Sequence, residues 1–176
     1  MNHVVDIAIW YLNVTNKFMK AALKEAQKAY SIGEVPVGAV IICNNKIIAR
    51  GHNTREIDQS VLGHAELNAI KKACKKIGSW RLEDCDMYIT LEPCPMCSGS
   101  IIQSRIKNVY FGAYDLKTGA AGSVLNLFDY PFNHKVNVVG GIMEEECSRI
   151  IKDFFKELRQ KILIIINKDD KILSFN

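Results

Sequence analysis

The chain has 176 residues, 48% hydrophobic and 24% charged, with a net charge of +4. That length suits one compact domain burying roughly 70% of its unfolded surface, so the core needs no disulfide staple. The mildly basic balance permits a nucleic-acid partner without demanding one, and no apolar run approaches the ~20 residues of a membrane span.

Taken in chain order, residues 1–15 form an N-terminal extension of unassigned role. Val4 to Leu12 is apolar but broken by Asp6, and it lacks the basic flank of a secretory signal. A docking arm, a disordered tail and an upstream start codon all remain open for it. Asn16 is a good N-cap candidate, and the predicted first helix runs from there to Ser31, before Gly33. Met19, Leu23, Ala26 and Tyr30 recur along it at helical spacing. Val37 to Cys43 reads as a strand, Asn44-Asn45 as a turn, and Lys46 to Ala49 as the return arm of a hairpin. Residues 51–63 read as a loop.

A helix is predicted over His64 to Ile77, ended by Gly78, and a strand over Met87 to Leu91. Pro95 stands where a helix can begin, and that helix is expected to reach about Arg105. Strands over Val109 to Gly112 and Val136 to Val139 and an amphipathic helix from Glu144 to about Gln160 complete residues 16–161. Residues 162–176 form a C-terminal extension whose run Ile162 to Ile166 reads as an added strand or a partner contact. Strands alternating with helices imply an α/β fold with a parallel portion wherever a helix separates two strands.

Three segments supply what a catalytic zinc needs: one imidazole, His64, and two thiolates, Cys94 and Cys97, with a fourth position left for water. Cys94 and Cys97 flank the first turn of a helix, where exposed backbone N–H groups favour thiolate over thiol. Glu66 lies two residues from His64. That spacing keeps it off the ligand's helical face and suits a group addressing the zinc-bound water. Zinc lowers the pKa of bound water from about 15.7 to about 7, and a carboxylate can then relay its proton to a substrate nitrogen. Either half of the pattern alone would be weak, since a lone CxxC also reads as a redox pair or half of a structural zinc knot. H-A-E at 64–66 followed by P-C-P-M-C at 93–97 is the recognised signature of zinc deaminases. The other cysteines, Cys43, Cys74, Cys85 and Cys147, sit in apolar or helical stretches and read as free thiols of a reducing, cytoplasmic setting.

GEVPVGAVI (33–41), GHN (51–53), TLEPCPMCSGSI (90–101), SRI (104–106), KTGAAGS (117–123), NHKV (133–136) and EEC (145–147) accompany that signature. With these motifs the chain resembles the tRNA-specific adenosine deaminases of the cytidine deaminase superfamily, from about Phe18 to Arg159. The resemblance implies a three-layer α/β/α sandwich around a mostly five-stranded mixed sheet. It further implies one zinc ion per subunit, a homodimer, and hydrolysis of adenosine to inosine at the wobble position of a tRNA anticodon, most often an arginine tRNA in bacteria. By the same resemblance Asn53 would hydrogen-bond the purine and Asp115 would lie near the nucleotide 5′ of the target. Asn133 and His134 would belong to the anticodon-loop contact, with Lys117 and Lys135 as phosphate contacts. The run from Lys71 to Lys76 reads as a solvated helix face or an RNA contact. Two rivals stand beside this reading: a deaminase of free guanine, cytosine or nucleosides, and a structural-zinc RNA-binding module. The first would show little salt dependence, whereas RNA affinity falls steeply with salt.

Overall fold

A computed structural model describes residues 2–173, with side chains described for residues 13–166. The elements follow the order α1 (Asn2–Ser31), β1 (Gly38–Cys43), β2 (Lys46–His52), α2 (Ala65–Ile77), β3 (Cys85–Leu91), α3 (Pro95–Gln103), β4 (Asn108–Ala113), β5 (Asn137–Val139) and α4 (Glu144–Leu173). A short 3-10 turn at Leu127–Asp129 lies between β4 and β5.

The strands form one five-stranded sheet in the order β2-β1-β3-β4-β5. β1 pairs antiparallel with β2 and β3, while β3–β4 and β4–β5 are parallel. This is the five-stranded mixed sheet that the family resemblance implies. Asn44 and Asn45 take φ of 50° and 58°, the left-handed conformation that a tight hairpin turn between β1 and β2 requires.

Side chains alternate between the two faces of the sheet, and each face has its own cluster. Ala39, Ile41, Met87, Ile89, Val109 and Phe111 pack with Ala65, Ala69 and Ala73 of α2 and Ile101 and Ile102 of α3. Val40, Ile42 and Tyr88 pack on the opposite face with Phe18, Met19 and Ala22 of α1 and Cys147 of α4. The result is the three-layer α/β/α arrangement. Gly51 is what lets α2 lie close against β2: a methyl group there would collide with the backbone at Ala65 and Ala69. That contact sets the height at which α2 begins, and with it the position of His64.

Both long helices run past their expected limits. α1 continues upstream through Asn16, so Asn16 is no N-cap, and Thr15 is buried inside the helix. The physical reason is the lack of any Gly or Pro before Gly33; a cap residue starts a helix only where the preceding turn is not itself helical. The Ile162–Ile166 run is helical as well, not a strand. α4 meets no Gly or Pro after Glu144, so nothing in the sequence breaks the helix before it reaches this run. α3 stops at Gln103, slightly early, because Arg105 takes φ of 64°. Lys71, Lys72, Lys75 and Lys76 are exposed on α2, as on a solvated face. Among the described residues no helix is long and apolar enough to cross a membrane.

Candidate active site

Two helix starts meet at the carboxyl end of β3. His64 is the N-cap of α2 and Cys94 the N-cap of α3, both in extended backbone, and Pro95 opens α3 with its preset φ. The His64 side chain makes no cap bond to α2, and the Cys94 sulfur faces Cys97 and His64. His64 Nδ1 lies 3.4 Å from Cys97 Sγ and 3.8 Å from Cys94 Sγ. The three ligand atoms all lie within 4.8 Å of one another. A tetrahedral centre about 2.3 Å from sulfur and about 2.0 Å from nitrogen would hold those atoms about 3.5 Å apart. The donor set therefore has the spacing and softness of a divalent metal site, and no fourth protein donor joins the group among the described residues.

The electrostatics agree. The Cys94 thiol is lowered to about 4, chiefly by the hydrogen bond from the Cys97 thiol, with His64 adding to it against the opposing effect of burial. The same hydrogen bond, together with burial, pushes Cys97 strongly upward. Protein groups alone thus favour one thiolate; a bound cation would favour two. Glu66 stands in the first turn of α2, 4% exposed, and burial raises its carboxyl above the ordinary range. A raised carboxyl is what a proton shuttle near neutral pH requires.

Beside these groups opens a cavity of about 230 Å³, whose lining includes His64, Glu66, Cys94, Asn53, Asp115 and Thr118. Asn53 is 7% exposed, with its N–H on Val37 O at 3.0 Å and its side-chain Nδ2 on Glu34 Oε2 at 3.0 Å. Asp115 Oδ1 accepts from the N–H groups of Lys117 at 2.9 Å and Thr118 at 3.2 Å, closing a tight turn at the cavity mouth. Lys117 is exposed on that turn. Asn133 and His134 are not in the lining. Asn133 accepts from Arg105 Nη1 at 2.6 Å, and His134 donates Nε2–H to Ile106 O at 2.8 Å, just beyond the end of α3.

Sequence reasoning overlooked two buried acids on the cavity wall, Glu34 and Glu92. Glu92 is 2% exposed and gathers the loop of residues 115–123. It accepts from Asp115 N at 3.0 Å, Ala121 N at 2.9 Å and Ser123 N at 3.0 Å, and also from the Ser123 hydroxyl. Gly119 passes so close that a methyl group there would strike the Glu92 carboxylate. The only available signal was their place inside the GEVPVGAV and LEPC motifs.

The comparisons with known proteins meet this geometry. A family model described as MafB19-like deaminase matches residues 13–159. A tRNA-specific adenosine deaminase of Bacillus subtilis is 52% identical over 145 residues, covering 82% of this chain and 90% of the relative. The chain belongs to the tRNA-specific adenosine deaminase family. A second relative of that description, from Aquifex aeolicus, is 45% identical over 147 residues, covering 83% of this chain and 97% of its own. Among solved structures, a chain from a study of A-to-I editing by tRNA:A34 deaminases superposes with a TM-score of 0.74. It is 41% identical and covers 76% of this chain and 98% of its own length. Family membership makes the cavity beside His64, Cys94 and Cys97 the place to seek deaminase chemistry.

Proposed function

We propose that this protein hydrolyses adenosine to inosine at the wobble position of a tRNA anticodon, an arginine tRNA being the favoured substrate, with one zinc ion per subunit. The observation that carries the reading is a soft three-donor cluster opening on a cavity that also holds a buried carboxylate and a buried amide. His64, Cys94 and Cys97 would hold the zinc, which when bound supplies an activated water at neutral pH. Glu66 takes one proton from the attacking water and delivers it to N1 of the purine. It then carries the second proton, from the hydroxyl now on C6, to the exocyclic amine, so that the C6–N bond breaks, ammonia leaves and a C6 carbonyl remains. Asn53 orients the purine from the cavity wall, and Asp115 and Thr118 shape the mouth where the 5′ neighbour would pass. Lys117, exposed on the turn at that mouth, would meet a phosphate, and Asn133 with His134 would meet the anticodon loop on a separate surface beside Arg105. The target base must leave its stack, at little cost in an already single-stranded loop.

Residues 16–161 make up the deaminase domain in this reading, with 1–15 and 162–176 as extensions, although α1 and α4 run unbroken across those limits. All six cysteines are free, which suits a reducing cytoplasm. A homodimer is carried by the family resemblance, and light scattering of the purified protein tests it. Glu66→Ala tests the mechanism: zinc content and RNA binding should persist while turnover falls roughly 10²–10⁴-fold. Unchanged turnover would remove Glu66 from the chemistry.

A further inference from the structure

Glu34 has no part in the metal cluster, yet it is a buried acid, 1% exposed, on the wall of the same cavity. Its backbone is held by the end of α1. Gly33, at φ +82°, turns the chain, and the Glu34 N–H bonds Ala29 O at 2.9 Å in a helix-closing motif. Its two carboxylate oxygens have separate partners. Oε1 accepts from the Ile57 backbone N–H at 2.7 Å, and Oε2 accepts from Asn53 Nδ2 at 3.0 Å.

This pairing decides which way the Asn53 amide is turned. Exchanging its oxygen and nitrogen would set two acceptor oxygens against each other inside a buried site, which is costly. The Asn53 backbone is pinned in turn to Val37 O, so the side chain has little other freedom. We propose that Glu34 is a positioning residue that fixes the donor and acceptor polarity Asn53 presents to the substrate base. The proposal rests on the reading of Asn53 as the residue that contacts that base.

Glu34→Gln separates this role from mere packing. The glutamine is isosteric but owns one acceptor and one donor group. The Ile57 N–H belongs to the backbone and cannot reverse, so Oε1 must serve it. Nε2 then faces Asn53, whose amide has to flip and offer its oxygen. Every buried group stays paired, and only the polarity shown to the base is inverted.

The experiment is a double-mutant cycle with Asn53→Ala, using zinc-loaded full-length protein and a wobble-adenosine anticodon stem-loop. Zinc content and melting temperature are read beside kcat/KM. Glu34→Gln is expected to fold, keep its zinc and lose roughly 50-fold in kcat/KM, the scale of one good base contact. In the Asn53→Ala background the same change should cost almost nothing, because the group it acts through is gone. Additive losses, an unaffected Glu34→Gln variant, or a variant that fails to fold would each overturn the proposal. If the wild type turns over a free base and leaves the stem-loop untouched, the tRNA reading fails. The same cycle run on that base still decides the role of Glu34.

Discussion

Glu92→Gln should loosen the substrate side of the cavity without touching the metal donors. In the native chain Oε1 accepts from the Ala121 and Ser123 N–H groups, and Oε2 accepts from the Asp115 N–H and the Ser123 hydroxyl. A glutamine can satisfy only one of these sides as an acceptor. With its oxygen serving the two N–H groups, the Ser123 hydroxyl can rotate to accept from the new NH2, but the Asp115 N–H then faces a donor. The Asp115 bond is lost with one buried donor left facing another, and the bonds that remain lose the assistance of the carboxylate charge, which together costs about 2 kcal/mol. For a chain of this size that corresponds to a melting temperature lowered by roughly 4–8 °C. Because Asp115 carries the turn at the cavity mouth, kcat/KM should fall as well, while zinc content stays at the wild-type level. Calorimetry, metal analysis and single-substrate kinetics on one preparation supply all three values. A melting temperature and kcat/KM both equal to wild type would refute the view that Glu92 holds this loop.

Cys94→Ala should weaken zinc affinity by at least about 100-fold and destabilise the fold, since a lost ligand undermines metal-coupled stability; full zinc content by metal analysis would remove Cys94 from the ligand set. Away from the site, burial raises Cys85 and Cys147 from the ordinary 9.0 to about 12. A neutral acid raised in the folded state stabilises fully below the unfolded value and loses that contribution as pH climbs from about 9 toward about 12. Urea midpoints should therefore fall across that window, and Cys85→Ala with Cys147→Ala should flatten the fall. A slope unchanged by both substitutions would place the alkaline weakness elsewhere.

The His64, Cys94 and Cys97 cluster was legible in sequence because its signals are local. Gly63 before His64 and Pro95 after Cys94 mark two helix starts, and the CxxC spacing puts both thiols on one turn. The strands were legible for a similar reason, as β-branched runs beside turn residues such as Asn44-Asn45 and Pro93, but not all their limits were. β2 continues to His52, into the stretch read as a loop, because Gly51 and His52 pair with Ala39 and Gly38 of β1. Helix ends were less legible. Asn16 has the chemistry of a cap, but only the absence of a breaker upstream decides that the helix continues through it. Glu34 and Glu92 were invisible as functional groups because their partners are distant in the chain. Glu34 meets donors at 53 and 57, and Glu92 meets donors at 115, 121 and 123. No spacing rule links residues so far apart; only the closed fold shows that these acids set the geometry of the cavity. Asn133 and His134 lie against Arg105 and Ile106, outside the cavity lining, on the separate surface for which the anticodon-loop contact is proposed.

The most direct test of the central claim is inosine formation by the zinc-loaded protein on an arginine anticodon stem-loop with adenosine at the wobble position. Free adenosine, cytidine and guanine are assayed in parallel. Inosine in the stem-loop, with the free compounds left unchanged, is the expected result. Ammonia released from a free base or nucleoside while the stem-loop stays intact would keep the His64–Cys94–Cys97 chemistry but contradict the assignment to tRNA.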